Sequence, residues 1–202
     1  MDFIGVTGPI ASGKTSVCHT FSEMGALLID ADKMGHEFLE EPSNRIKLLE
    51  YFGEAVIRDD NTIDRERISQ VVFSNQSALE WLENLTHPLL TEKICFRIKE
   101  LRESGFPGAI ILDAAMLPKW PTVITQLDYL ILVQSPSWQR INRLVQDRGY
   151  PPEQIEKRMN SQGSIFDKIT PQIDYIVKNN GDLLELKAKA VKVWLDIKHG
   201  GA

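Results

Sequence analysis

The chain has 202 residues, 43% of them hydrophobic and 25% charged, a balance that suits a folded protein with one substantial core. Its formal net charge of −5 excludes the broad basic surface that neutralises nucleic-acid phosphates, so no nucleic-acid partner is expected. There is no run of about 18 apolar residues, and Met1 to Val6 lacks the charged-then-apolar layout of an export signal; the expectation is a cytoplasmic protein with no membrane contact.

Phe3-Ile4-Gly5-Val6-Thr7 is a short apolar run that ends in a glycine-rich turn, the pattern of a buried parallel strand. Val17, Cys18, Phe21 and Met24 then recur at helical spacing between Lys14 and Met24, and Gly25 supplies the stop. Ala26-Leu27-Leu28-Ile29-Asp30 reads as a second strand. Strand, helix and strand in this order form a βαβ unit, which predicts a parallel pairing with a right-handed crossover. Residues 33–104 are charged, mostly free of strand-like runs and helical in period around Ile46–Leu49 and Leu79–Leu85, so they read as a helical insertion.

Strand signals return at Ala109–Asp113, Tyr129–Val133 and Asp174–Val177, which brings the sheet to about five strands. Residues 135–170 open with Ser135-Pro136, read as an N-cap and first-turn pair, and carry Arg140, Arg143, Arg148, Lys157 and Arg158. Leu183–Ile197 should be a closing helix packed on the sheet. The two cysteines, Cys18 and Cys95, have neither disulfide nor metal-ligand spacing and read as reduced core residues.

Gly8-Pro9-Ile10-Ala11-Ser12-Gly13-Lys14-Thr15 matches G-x-x-x-x-G-K-[ST] at every fixed position and lies between a strand and a helix, as that motif requires. The fold class that follows is α/β: a P-loop NTPase-type three-layer α/β/α domain over 1–202, with a mainly parallel five-stranded sheet, the helical insertion at 33–104 and a helical lid at 135–170. Backbone N–H groups around Ala11 to Thr15 would face a polyphosphate, helped by the positive end of the helix dipole, and Ser16 can add one hydrogen bond. Gly8, Ala11, Ser12, Gly13, Lys14, Thr15 and Ser16 are therefore candidate nucleotide ligands. Lys14 would bridge the β and γ phosphates of ATP, and the Thr15 hydroxyl would complete the coordination of Mg²⁺.

Asp30 and Asp32 follow the second strand, where a parallel sheet gathers its ligands. Asp32 is the candidate for accepting the proton of, or orienting, an attacking hydroxyl, with Asp30 as a substrate contact beside it. The competing reading of Asp32 is an N-cap for a helix starting at Lys33. Asp113 ends an apolar run in the manner of a magnesium-positioning acid, although a strand-end turn would use the same residue. In the lid segment, Arg143 and Arg148 are placed to stabilise the charge of a transferring phosphoryl group.

The order of these signatures resembles one family, dephospho-CoA kinase. The resemblance covers Gly5-Val6-Thr7-Gly8 through Lys14-Thr15, Leu28-Ile29-Asp30-Ala31-Asp32, Tyr51-Phe52-Gly53, Ile63-Asp64-Arg65, Val72-Phe73 and His87-Pro88. It continues through Gln139, Arg143, Arg148, Arg158 and Gln162 to Asp174-Tyr175-Ile176-Val177 and Asn179-Asn180-Gly181, nearly the whole chain. What the resemblance implies is a monomeric ATP- and Mg²⁺-dependent kinase of coenzyme A biosynthesis that acts on the 3′-hydroxyl of dephospho-CoA. It assigns ATP to Ala11 through Ser16, the hydroxyl-activating acid to Asp32 and lid contacts to Arg143 and Arg148. Arg65 and His87 become acceptor-side candidates, with His87 equally readable as a structural histidine beside a turn proline. Where the family usually carries Pro-Leu-Leu-aromatic-Glu after the third strand, this chain has Asp113-Ala114-Ala115-Met116-Leu117-Pro118-Lys119, with Lys119 at the place of the glutamate.

Three other readings share parts of this pattern. A nucleoside or nucleoside-monophosphate kinase shares the P-loop and lid, and the insertion argues against it. A guanine-nucleotide switch would carry Asn-Lys-x-Asp, which is absent. A catalytically dead ATP-holding scaffold conflicts with the intact Lys14, Thr15 and Asp32.

Overall fold

The computed structural model describes residues 1–162 and 165–200, without the side chains of Arg148 and Lys168. Five strands form one sheet in the order β2-β3-β1-β4-β5: β1 (Phe3–Thr7), β2 (Leu27–Asp30), β3 (Ile110–Asp113), β4 (Tyr129–Gln134) and β5 (Tyr175–Lys178). Every pairing in it is parallel, so the expected mainly parallel sheet is wholly so. β1 lies at the centre with all five residues buried, which is why its sequence lacks the polar alternation of a strand with one wet face.

Alternation sorts the two cores. Phe3, Ile110, Leu112 and Leu130 face the long helix α5 (Gln76–Glu103) through Leu90, Ile94 and Ile98. Ile4, Val6, Ile111, Ile131 and Val133 face α1 (Lys14–Glu23) and α9 (Leu183–Lys198), where Phe21 and Trp194 stack with ring centres 5.6 Å apart. Helices on both faces of a parallel sheet make the three-layer α/β/α arrangement.

Between β2 and β3 the chain is helical: α2 (Ala31–Glu40), α3 (Pro42–Phe52), α4 (Arg65–Val72) and α5. These helices have a core of their own around Phe38, Leu48, Ile63 and Ile68, into which Trp81 packs with Tyr51 stacked on it at 4.0 Å. The Tyr51-Phe52 pair is thus packing for the insertion. Pro88 lies inside α5 and not at a turn, which corrects the turn-proline reading of His87-Pro88.

After the short α6 (Pro121–Ile124) and β4 come α7 (Ser137–Arg148) and α8 (Pro152–Gln162). α7 begins one residue later than its Ser-Pro signal predicts, with Pro136 at the N-cap and no side-chain cap. Ser135 has other work: its hydroxyl oxygen accepts from Arg143 at 3.1 Å.

Candidate active site

The glycine-rich loop joins the carboxyl end of β1 to α1. Gly13, at φ 97°, takes the left-handed conformation that glycine adopts without strain, and its N-cap position lets α1 start at Lys14. A side chain at Gly8 would place its Cβ 2.4 Å from the Val133 carbonyl oxygen, so the loop can leave the sheet here only as glycine. The amides of Lys14, Thr15 and Ser16 open the helix and, like the first N–H groups of any α-helix, have no partner within it.

Outer supports hold the loop in this shape. The Ala11 carbonyl accepts from Arg143 at 3.0 Å, the Ser12 carbonyl from Asn179 at 2.8 Å, and the Ile10 amide donates to the Gln162 side chain at 2.8 Å. With these carbonyls occupied from outside, the cavity of about 410 Å³ within the loop is lined by Gly8 through Ser16, Asp32, Ala115, Arg143, Asp147 and Gln162. The Ser12 hydroxyl oxygen is buried with no hydrogen-bond partner, an orphan donor in a cradle otherwise made of amides. Such a cavity fits an oxyanion.

Lys14 forms an ion pair with Asp113, and both side chains are nearly buried. Register explains the pairing: Asp113 stands opposite Val6 at the carboxyl end of β3, directly beside the strand that feeds the loop. The acid expected to position magnesium is therefore the ion-pair partner of the lysine of the glycine-rich motif. Thr15 is exposed on the cradle cavity.

A second cavity, of about 420 Å³, adjoins the first. It is enclosed by α2, α4, α5, the loop after β3 and α8, and it includes Arg65, His87, Lys119 and Arg158. Ile10, Asp32 and Gln162 line both cavities. Asp32 is thus at the junction, in the first turn of α2, and the capping assigned to it in the competing reading belongs to Asp30, whose carboxylate accepts from the Lys33 amide at 2.9 Å.

Asp30 itself lines neither cavity of the junction but a separate groove between α2 and α5. Of the two arginines expected to act from a lid, Arg143 lines the cradle, and its guanidinium is engaged by Ala11, Ser135 and Gln139. The side chain of Arg148, the second expected lid contact, lies outside the described residues. Cys18 is fully buried and its thiol is pushed up to about 12, chiefly by desolvation; Cys95 is only half-buried, less enclosed than a core residue.

Two residues of the site, His36 and Glu83, escaped sequence reasoning, and two more, Gln162 and Asn179, were named without their contacts. His36 lies one helical turn beyond Asp32 and lines the second cavity; desolvation and then the Arg65 cation hold its pKa below the ordinary value against the opposing pull of Asp32 and Asp30. Glu83, from α5, forms an ion pair with Lys119, so a carboxylate does stand at the departure in the loop after β3, delivered from another element. Gln162 was noted only as part of a resemblance, and its hydrogen bond to the loop had no sequence signal. Asn179, which holds the Ser12 carbonyl, is in the same position. His87 is half-buried with its ring edge-on to Trp120 at 5.6 Å, and desolvation lowers its pKa, with Glu83 raising it and Lys119 lowering it. Helix spacing from a known start would have found His36; the other contacts join residues far apart in sequence.

The family described as dephospho-CoA kinase, CoaE, matches residues 2–185. The chain belongs to the dephospho-CoA kinase family. It is 34% identical over 201 residues to the dephospho-CoA kinase of Syntrophus aciditrophicus, covering 96% of this chain and 82% of that one. To the enzyme of the same name from Thermobifida fusca it is 31% identical, with 96% of each covered. The solved dephospho-CoA kinase from Campylobacter jejuni superimposes with a TM-score of 0.69 at 26% identity, over 98% of each chain. Membership makes the chain an ATP-dependent kinase.

Proposed function

We propose that this chain transfers the γ-phosphoryl group of ATP to the 3′-hydroxyl of dephospho-CoA, giving CoA and ADP. One observation carries the reading beyond family membership: Asp32 lines both the loop cavity and the adjoining cavity, where an acid must stand if it is to meet a hydroxyl entering from one side and a phosphoryl group held on the other.

In this reading the cradle amides, Lys14 and the Ser12 hydroxyl hold the triphosphate. The γ phosphate draws Lys14 away from Asp113, which frees a nearly buried carboxylate. Thr15, and Asp113 through water, would hold Mg²⁺, which supplies charge neutralisation of the phosphate oxygens. The 3′-oxygen of the acceptor forms its bond to the γ phosphorus as the bond from that phosphorus to the β–γ bridging oxygen breaks, and the hydroxyl proton goes to Asp32. Arg143 acts by fixing the Ala11 carbonyl outward while its charge borders the phosphates. The helical segment 33–104 receives the acceptor, with Arg65, His87, Lys119 and Arg158 around it. The segment 135–170 serves as the lid.

No described helix is long and apolar enough to cross a membrane. The proposal places the enzyme in the cytoplasm as a monomer. An ADP-release assay with ATP and Mg²⁺ and a panel of dephospho-CoA, adenosine, AMP and water tests it. Turnover confined to dephospho-CoA is the expected result; preference for adenosine or AMP would replace the acceptor, and release with water alone would remove the kinase reading.

A further inference from the structure

Helix α8 reaches both halves of the site with side chains one helical turn apart. The Arg158 guanidinium lies 4.8 Å from the ring centre of Phe73, the residue that closes α4, and 4.5 Å from that of Tyr150, in the α7–α8 connection. Gln162, four residues on and so on the same face, holds the Ile10 amide. Arg158 lines the acceptor-side cavity, and Gln162 lines both. Lys157 adds a hydrogen bond to the Ser74 hydroxyl at 3.1 Å, just past α4. One helix therefore grips the insertion at one point and the phosphate loop at another.

We infer that α8 is a clasp whose positioning residues, Arg158 and Gln162, make the nucleotide and the acceptor bind synergistically. This rests on the assignment of the two cavities proposed above. An acceptor that fills the second cavity fixes Phe73 and with it Arg158. Fixing Arg158 holds α8, and Gln162 then restrains Ile10 at the mouth of the cradle, so the loop meets its nucleotide already ordered. Coupling of this kind is reciprocal: a nucleotide that orders the loop prepares the second cavity to the same extent.

The experiment is a calorimetric titration of Mg²⁺ and a non-hydrolysable ATP analogue into the full chain, with and without saturating dephospho-CoA. It compares the wild type with Gln162→Ala, Arg158→Ala, Arg158→Lys and Glu156→Ala, the last an exposed position on α8 used as a control. In the wild type, dephospho-CoA tightens the analogue by about fivefold or more, the lower end of ordinary coupling between sites. Gln162→Ala brings that factor close to one while each ligand alone still binds; Arg158→Ala, which also weakens dephospho-CoA, brings it close to one even at a dephospho-CoA concentration that a separate titration shows to saturate the variant, and Glu156→Ala keeps it. Arg158→Lys retains the charge without the planar stack and behaves like the alanine variant. Thermal melts establish which variants are folded; if Gln162→Ala is not, the Arg158 pair decides. Undiminished coupling in folded variants, or its absence from a wild type that phosphorylates dephospho-CoA, overturns the clasp. Failure of the functional reading gives a different result, a wild type that binds the analogue but neither binds nor phosphorylates dephospho-CoA, and this removes the clasp with it.

Discussion

The phosphate cradle is one uninterrupted stretch of main chain, Gly8 to Ser16, whereas the cavity next to it collects side chains from α2, α4, α5, α8 and the loop after β3. In the first, the groups free to meet an oxyanion are chiefly main-chain amides at the start of α1, and specific residues are needed mostly where the backbone must bend or approach closely. In the second, each functional group is a particular side chain brought from a distant part of the chain. Substitutions should therefore separate the two: backbone and charge changes at the cradle remove nucleotide chemistry altogether, and changes in the second cavity act on the acceptor alone.

The largest effect is expected from Lys14→Ala, which should abolish turnover in the ADP-release assay. It also leaves Asp113 buried without its partner, a situation that costs about 3–5 kcal/mol when a buried pair is broken from one side. Adding Asp113→Asn should restore most of the melting temperature and none of the rate; recovery of both would mean that Lys14 serves the fold and not the phosphate. Next, Asp32→Asn should lower kcat by about 10²–10⁴ while ATP affinity, measured by titration, changes little. A rate within a few fold of wild type would reduce the junction to a wall between cavities.

Gly8→Ala sharpens the backbone half of the comparison. Its new Cβ meets a backbone carbonyl at 2.4 Å and the Ser12 hydroxyl at 2.7 Å, so nucleotide binding should weaken at least tenfold through loop displacement, as read by calorimetry. Ordinary affinity would show the loop to be more pliable than a main-chain cradle allows. Lys119→Ala, in the other cavity, frees Glu83 from its ion pair and should raise KM for dephospho-CoA by about tenfold with KM for ATP unchanged. Equal changes in both constants would contradict the division between the cavities.

The smallest effect concerns pH. Burial holds the His87 pKa below its ordinary 6.5, so the folded state keeps the imidazole neutral where the unfolded chain already binds a proton. Stability from this source is complete above that ordinary value and declines as pH falls through it toward the lower folded pKa. His87→Gln should flatten the fall in melting temperature between pH 7 and pH 5; an unchanged slope would assign the pH dependence elsewhere.

Much of this division was visible before folding was considered. Lys14 and Thr15 could be placed because the motif, the strand before it and the helix after it are neighbours in sequence, and neighbours in sequence share one local geometry. The inner strands were readable because burial on both faces leaves an unbroken apolar run. Asp30 and Asp32 show where that kind of reading ends. A two-residue step along the start of a helix turns side chains to different sides, so a shift in the helix start from Lys33 to Ala31 exchanged the cap for the junction residue. Pro88 was misplaced because a proline does not announce whether the surrounding helix tolerates it.

The amino-acid order by itself determined that an oxyanion cradle would form at a strand-to-helix turn and that a helical segment would separate the second strand from the third, since both depend on contacts within a few residues. The tertiary structure alone decided that Asp32 faces both cavities, that Asp113 neutralises Lys14, that Glu83 answers Lys119 and that α8 ties Ile10 to the far side of the site. Those pairs are joined by packing of the sheet and its helices, and no local preference of either partner encodes the other.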